Sequence, residues 1–532
     1  MRSIISKPPS VFLCLSLLFG FALFIGATKI ADFDIWWHLK TGEIIRAWGT
    51  IPKYDIFSYT APGASWVNHE WLFQVFASFL YDHFGIASLT LAKLAIILCA
   101  AFFLYKTFKL FVSSDGLALF GSVVILWSMA DRVMIRPFLF SSLFIIIFCY
   151  FLHRFVCLGK GRIWILPIIQ LLWINLHGGA LLGPMIVFSF AFGESFQKVL
   201  KKDLNFGGPE EITNRKIIYL WIVCFLTLLA CLANPEGINI FLFSVRHLKM
   251  DAIMSFTQEW LPALDSRLNY VVSLIIFKIV IVLIFISYFL NLKKVRLSHI
   301  CLTALSGALI LKGSRFSPDF VIINLPLAFL NFKSLKPRFA YLIQRKIITE
   351  WVLLSVVFVF LASVFYNGLP LLLNSQGVNN VGFGALSSFA PKNMVDFLEE
   401  NNISGKVFNE VGVGGYLIFS RWPADLVFID GRTPVYGDDF YQKYIAVFSH
   451  SRNFENLDKI YHFDYLVFKA DQAWNLRYMH EYLWKNPMWK LVFFDGSEGL
   501  VYLRNIPRFN KILDKYEMKR HPIVDAMKIR RL

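Results

Sequence analysis

The sequence predicts a polytopic α-helical membrane protein with an α/β domain at its C-terminal end, and three observations carry that prediction. Hydrophobic side chains make up 57% of the 532 residues, with 55 Phe and only 17% charged residues, and mean hydropathy is +0.56. That is more apolar surface than one water-soluble core can bury. The apolar residues fall in repeated runs, many near the roughly 20 residues that cross hydrocarbon. After residue 376 the runs shrink to strand length while charges and turn residues rise. The expected division is a transmembrane module over 1–376, with a large outer loop at 31–85, and a soluble extracytoplasmic domain over 377–532.

About eleven transmembrane helices are expected, at 9–30, 86–108, 114–130, 137–156, 162–176, 179–197, 215–233, 268–290, 297–312, 318–332 and 348–366. The formal charge of +17 does not form a nucleic-acid-binding stripe or tail. It falls largely in loop clusters: Lys106 and Lys109; Arg154, Lys160 and Arg162; Lys198 to Lys216; Lys293, Lys294 and Arg296; Lys333 to Lys346. A cytoplasmic N-terminus, with Arg2 and Lys7 before a retained first helix, puts all five on the inner side. The same parity puts 31–85, the 131–136 and 177–178 turns, 234–267, the 313–317 turn and everything after Tyr366 outside. The seven Cys lie in or at the ends of apolar segments, are read as having neither CxxC nor Cys/His ligand spacing, and read as packing residues.

In the outer loop, the aromatic stretch Asn68–Tyr81 reads as an interfacial helix. In the C-terminal domain, a helix is expected at 391–401 behind Pro391, and a short strand at Lys406–Asn409. Buried strands are expected at Leu426–Ile429 and Tyr465–Phe468, and helices at Phe440–Phe448 and Phe454–Tyr461. Lys490–Phe494 and Gly499–Leu503 would form a closing pair about Asp495-Gly496. This alternation predicts three α/β layers. Gly412, Gly414 and Gly415 read as a tight turn, since nothing around them makes a nucleotide-binding fingerprint.

Several polar groups fall on the outer side. Asp32 and Asp34, just after the first helix, form a carboxylate pair able to hold a divalent cation or deprotonate an acceptor; the plain alternative is a helix cap within a Trp belt. His69 and Glu70 offer a titratable couple or metal ligands, or interfacial anchoring. Arg132 and Arg136 run against the positive-inside tendency and suit a phosphate clamp, or pairing with Asp131 or head groups. Asn175 and His177 stand at a glycine break where unpaired polar groups are costly. Lys93 reads as a snorkelling lysine. Asp430 and Arg432 follow a buried strand, where α/β domains present binding groups, or else they lock the loop to each other.

With these residues assembled, the chain resembles the membrane glycosyltransferases of the C-type fold (GT-C superfamily) that use polyprenyl-phosphate-linked sugars, and more closely a bacterial subgroup. The resemblance rests on the acidic motif at Asp32 and Asp34, the stretch from Asp34 to Gly42, Ser58–Thr60, Asn68–Trp71, Arg136-Pro137, Asn175 to Gly178, Gly414–Tyr416 and Asp430–Arg432. It implies transfer of a sugar from a polyprenyl-phosphate donor to a glycan, lipid or protein acceptor outside a bacterial inner membrane, by direct inverting displacement. Asp34 would be the base, supported by Asp32, either or both holding Mg²⁺ or Mn²⁺. His69 and Glu70 would complete the acceptor or metal side, and Arg132, Arg136 and His177 would hold the lipid phosphate. Asn175, Asp430 and Arg432 are the other binding candidates, and the C-terminal domain could dock an envelope protein. A non-catalytic assembly subunit and a lipid-linked glycan ligase or polymerase are the alternatives.

Overall fold

The computed structural model describes residues 11–204, 212–247, 250–256, 258–268, 272–291, 294–333, 346–367, 381–470 and 476–524. Arg2, Lys7, Lys293, Lys336, Arg338, Arg345 and the expected division at 376/377 lie outside them. The chain forms two compact units. One takes in Met1–Thr28, Leu89–Ile240 and Thr257–Gly382; the other takes in Lys29–Ser88, Phe241–Phe256 and Phe383–Leu532. The outer loop is therefore grouped with the C-terminal chain.

Among its described residues the first unit is helical apart from an isolated bridge between Thr28 and Val381. A helix occupies each of the expected apolar runs, from Val11–Gly26 to Lys346–Asn367. Five stretches are long and apolar enough to cross a membrane: Ala87–Phe111, Pro137–Leu158, Gly178–Leu200, Asn214–Ala233 and Ser273–Leu290. Helix ends follow local chemistry. Ser114 accepts from the Leu117 N–H at 3.0 Å to cap Asp115–Met129. Pro137 opens Pro137–Leu158, and left-handed Gly159 closes it. Ile218, Trp221, Phe225 and Leu229 on one helix, and Ile279, Val282, Phe285 and Phe289 on another, are exposed. An apolar surface of that kind suits hydrocarbon better than water. Inside, small residues let helices close up: a Cβ on Gly193 would stand 2.3 Å from Ser298 Cα, so Leu182–Leu204 and Leu297–Ile310 meet backbone to backbone there. Lys93 does not snorkel. It is buried, donating to the Thr28 carbonyl at 2.8 Å and the Thr28 hydroxyl at 2.7 Å, so its hydrogen bonds are made inside the unit.

The second unit is built on a four-stranded mixed sheet of order β1-β2-β4-β3, with β1 at Val407–Asn409, β2 at Tyr465–Lys469, β3 at Trp489–Asp495 and β4 at Gly499–Arg504. β1 and β2 are parallel and joined through helices; the other neighbours are antiparallel. Side chains alternate between two apolar layers: Phe408, Leu466, Phe468 and Tyr502 enter one, and Val407, Tyr465, Val467 and Val501 the other. Both faces are thus covered, as the three-layer expectation requires. The helices at Lys392–Glu400, Asp438–Ala446 and Ser451–Tyr461 and the β3–β4 pair fall where expected.

Two local expectations are corrected. Leu426–Ile429 is not a ladder strand. The Asn409 side chain takes the Phe428 N–H at 2.9 Å and donates to the Ile429 carbonyl at 2.7 Å, while Val427 exchanges backbone bonds with Phe57 and Tyr59 of the outer loop. An amide side chain thus stands in for part of a strand. Gly412, Gly414 and Gly415 lie inside the helix Val411–Arg421, not in a turn. A Cβ on Gly414 would meet the Ile429 carbonyl at 2.1 Å, and one on Gly415 the Phe33 carbonyl at 2.4 Å. Close backbone approach, not turn geometry, asks for these glycines.

Behind the sheet, the Ile523 and Val524 N–H groups donate to His521 Nδ1, each at 3.2 Å, which leaves the His521 proton on Nε2. That N–H meets Tyr502 Oη at 2.6 Å, and the tyrosine hydroxyl then donates to His480 Nδ1 at 2.9 Å. Burial, then the nearby His521, depress His480 from 6.5 to about 3. Between those values the unfolded chain binds the proton and the folded unit does not, so stability is full above 6.5 and falls as pH drops through that window. Lowering the pH from about 7 to about 5 is expected to cost up to about 1.4 kcal/mol per unit below 6.5 from this residue. Thermal melts across that range check it, with a flatter pH dependence expected for His480→Gln.

Candidate functional site

The chemistry-bearing residues of the outer loop are organised by the helix Asp34–Trp48. Asp32 Oδ1 accepts the Asp34 N–H at 3.0 Å, holding the start of the helix. Asp34 occupies the first helical position, where the helix dipole favours a carboxylate, and its Oδ1 accepts the Trp37 indole N–H at 3.2 Å. Asp32 is buried and Asp34 half-buried. One turn on, buried His38 shares a face with Asp34. Its Nε2 lies 3.9 Å from Glu70 Oε2, while His69 Nε2 lies 3.6 Å from Glu70 Oε1. Glu70 is thus flanked by two imidazoles. His69 Nδ1 faces the Val67 carbonyl at 3.1 Å, so the proton belongs on that nitrogen. The helix Trp71–Phe84 keeps this group close: buried Asn68 and Gln74 exchange amide bonds of 2.9 and 2.7 Å, and Gly42 lets the two helices meet, a Cβ there falling 2.0 Å from the Gln74 carbonyl.

The Asp-Gly-Arg loop comes to the same place. A Cβ on Gly431 would stand 2.0 Å from Asp34 Oδ1 and 3.2 Å from Trp37 Nε1, so only a glycine backbone can lie this close to the carboxylate. The flanking residues hold the loop. Arg432 donates through Nε and Nη2 to Asp430, at 2.8 and 2.6 Å, and Nη2 also reaches Asp55 Oδ1 at 2.7 Å. The guanidinium sits between Phe57 and Trp66, 4.7 and 4.6 Å from the ring centres. Tyr436 donates to Asp430 at 2.6 Å, and Asp55 accepts the Phe57 and Ser58 N–H groups. Burial opposes the Arg432 charge, but the Asp430 and Asp55 carboxylates outweigh it and raise its pKa. Both Asp430 and Arg432 are buried, so the geometry is that of a loop lock more than of presented binding groups.

Gly431→Ala is expected to push the Asp34 carboxylate or the loop out of place at a stability cost of about 1–3 kcal/mol, which melting of the variant beside wild type measures.

Arg132, Arg136, Asn175 and His177 belong to the helical unit. Arg132 approaches Asp319 at 3.9 Å, donates to the Arg315 carbonyl and covers the Phe138 ring; Arg315 pairs with Glu259 at 3.1 Å. Burial lowers the Arg132 pKa, and Arg315 and Arg136 act in the same sense against Asp319 and Glu259. Trp173 donates to Ser141 Oγ at 2.7 Å, so the Ser141 hydroxyl donates to His177 Nδ1, also at 2.7 Å; with the Gly179 N–H on the same atom, the His177 proton is on Nε2. Asn175 donates to the Leu171 carbonyl at 2.8 Å and accepts from Asn234 at 3.5 Å.

The comparison with solved structures bears on this arrangement. The fold is similar to that of an archaeal oligosaccharyltransferase. The apo form from Archaeoglobus fulgidus matches over 88% of this chain and 70% of its own, with a TM-score of 0.53 and 10% identity. The Archaeoglobus fulgidus oligosaccharyltransferase tethered to an acceptor peptide containing the NVT sequon matches over 93% and 74%, at 0.53 and 10%. The oligosaccharyltransferase AglB from the same organism, in complex with an inhibitory peptide and a dolichol-phosphate, matches over 93% and 75%, at 0.52 and 10%. At this identity the likeness to the archaeal enzyme is one of fold: a large helical membrane module with a C-terminal α/β domain. No protein-family model and no curated protein sequence matches the chain.

Sequence reasoning passed over Asp55, His38, Asp319 and the joining of the acidic motif to the Asp-Gly-Arg loop. His38 carried a readable signal, the four-residue spacing from Asp34. Asp55 carried only its place just before Ser58–Thr60.

Proposed function

We propose that the protein is a membrane glycosyltransferase that transfers a sugar from a polyprenyl-phosphate donor to an acceptor on the extracytoplasmic face of a bacterial inner membrane. The observation that carries this reading is the convergence on Asp34 of the helix start, the Asp-Gly-Arg loop and the nearby His38–Glu70–His69 group. The fold shared with an enzyme solved with an acceptor peptide and with dolichol-phosphate supports it. The eleven apolar helices cross the bilayer with the N-terminus inside, which puts Arg132, Arg136 and the C-terminal domain on one outer side.

In the proposed step Asp34 takes the proton of the acceptor as that group attacks the anomeric carbon. The new glycosidic bond forms as the bond to the donor phosphate oxygen breaks, and the lipid phosphate leaves. Arg132 and Arg136 supply cationic donors for that phosphate, and His177 offers Nε2–H. Glu70, between His38 and His69, is suited to binding or orienting the acceptor. Asp430 and Arg432 act by positioning Asp34, and Asn175 by holding the helix break beside His177. The hard oxygen donors of Asp32 and Asp34 fit Mg²⁺ or Mn²⁺, cations that complete their shell with water and substrate oxygens. Such an ion would supply further charge stabilisation to the departing phosphate. The acceptor is a glycan, lipid or peptide, and an envelope protein could dock on the C-terminal domain.

The test is a transfer assay in proteoliposomes with a labelled polyprenyl-phosphate sugar. Wild type is expected to release polyprenyl phosphate in an acceptor-dependent manner, and Asp34→Asn to release far less. Equal release by wild type, Asp34→Asn and Asp32→Asn would rule out the catalytic assignment and favour an assembly subunit.

A further inference from the structure

The helical unit holds a second cluster of chemistry-bearing side chains that the proposed transfer does not use. His153 and Cys157 are four residues apart on one face of Pro137–Leu158, and His299 lies on the first turn of Leu297–Ile310. The imidazole centres of His153 and His299 are 5.3 Å apart, and one ligand atom from each of the three residues lies within 4.8 Å of the others. His153 and His299 are buried, and Cys157 is half-buried at one edge. Neither ring nitrogen of His153, nor Nε2 of His299, has a hydrogen-bond partner. Leaving a buried polar atom unsatisfied costs about 1–3 kcal/mol, and three such atoms in one close-packed spot ask for an explanation.

We propose that His153, Cys157 and His299 bind a single zinc ion. Two imidazoles and a thiolate are a donor set for a borderline d-block cation and a poor one for Mg²⁺ or Ca²⁺. Zinc bonds of roughly 2.0–2.3 Å put tetrahedral ligands roughly 3.3–3.6 Å apart, so the cluster has to contract by about 1 Å. Gly193 brings Leu182–Leu204 against Leu297–Ile310, and on the next residue Glu194 holds Arg296 at 2.9 Å and Ser298 at 2.6 Å, fixing the start of the helix that carries His299. Arg296 hydrogen-bonds the Cys157 thiol at the edge of the cluster, so the guanidinium would give way to the ion there, and water would be the fourth ligand. The ion would tie Pro137–Leu158 to Leu297–Ile310 at the end bearing the basic Arg154 and Arg296. This proposal does not rest on the transfer reading.

The experiment uses full-length protein in detergent, stripped with chelator and reloaded with Zn²⁺ or Co²⁺. About one equivalent of zinc should be retained, and Co²⁺ should give the near-ultraviolet thiolate-to-metal charge-transfer band. Cys157→Ser should lose the band, and His153→Gln and His299→Gln should lose the retained metal. Asp34→Asn should keep both. Well-folded wild type that retains no metal after reloading, or a band that survives Cys157→Ser, would overturn the site.

Discussion

Asp34→Asn should reduce sugar transfer by about 10²–10⁴-fold, the range that a positioned general base contributes, while leaving the fold almost untouched. The asparagine carbonyl can still accept the Trp37 N–H, and the amide fits the space beside Gly431, so the contacts that locate the side chain survive. What is lost is the ability to take a proton. The loss should fall on the rate of transfer and not on donor binding, because the proposed phosphate contacts belong to Arg132, Arg136 and His177. Single-turnover rates with saturating donor measure this, and a tenfold or smaller loss would assign the proton to another group, with Glu70 the next to test.

Arg432→Met should destabilise the unit that contains the sheet by about 3–5 kcal/mol, the cost of breaking a buried ion pair by removing one partner. The methionine fills part of the space between Phe57 and Trp66, so the loss is mainly electrostatic: Asp55 and Asp430 are left close together, buried and without their shared cation. Asp55→Asn should cost less, since Arg432 keeps its paired bonds to Asp430. Denaturant unfolding followed by tryptophan fluorescence gives both values. An order with Asp55→Asn the more damaging would contradict the loop-lock account.

The apolar runs were readable because hydrocarbon imposes length and composition on a helix, and a helix formed in each. The β3–β4 hairpin was readable from Asp495-Gly496, and β2 from its continuous apolar run, because both signals are local. What stayed hidden depends on partners far away in the chain. Leu426–Ile429 has the composition of a buried strand, but its ladder is completed by the Asn409 side chain and by the outer loop. Gly431 is legible in the sequence only as the middle of Asp430–Arg432; its reason is Asp34, about four hundred positions earlier. Trp36 and Phe389, bonded across 353 positions, show why the outer loop could be seen as polar and aromatic without its partner being named. The reading that no cysteine has Cys/His ligand spacing missed His153 and Cys157, four residues apart on one helix, because each alone reads as packing on an apolar face until His299 is brought to them.

The most direct measurement is mass spectrometry of the lipids that co-purify with the intact protein, comparing wild type with the Arg132→Ala, Arg136→Ala double variant. A polyprenyl-phosphate species, with or without its sugar, should accompany wild type and be lost from the variant. Well-folded wild type carrying no such lipid, or a variant that keeps it undiminished, would contradict the account.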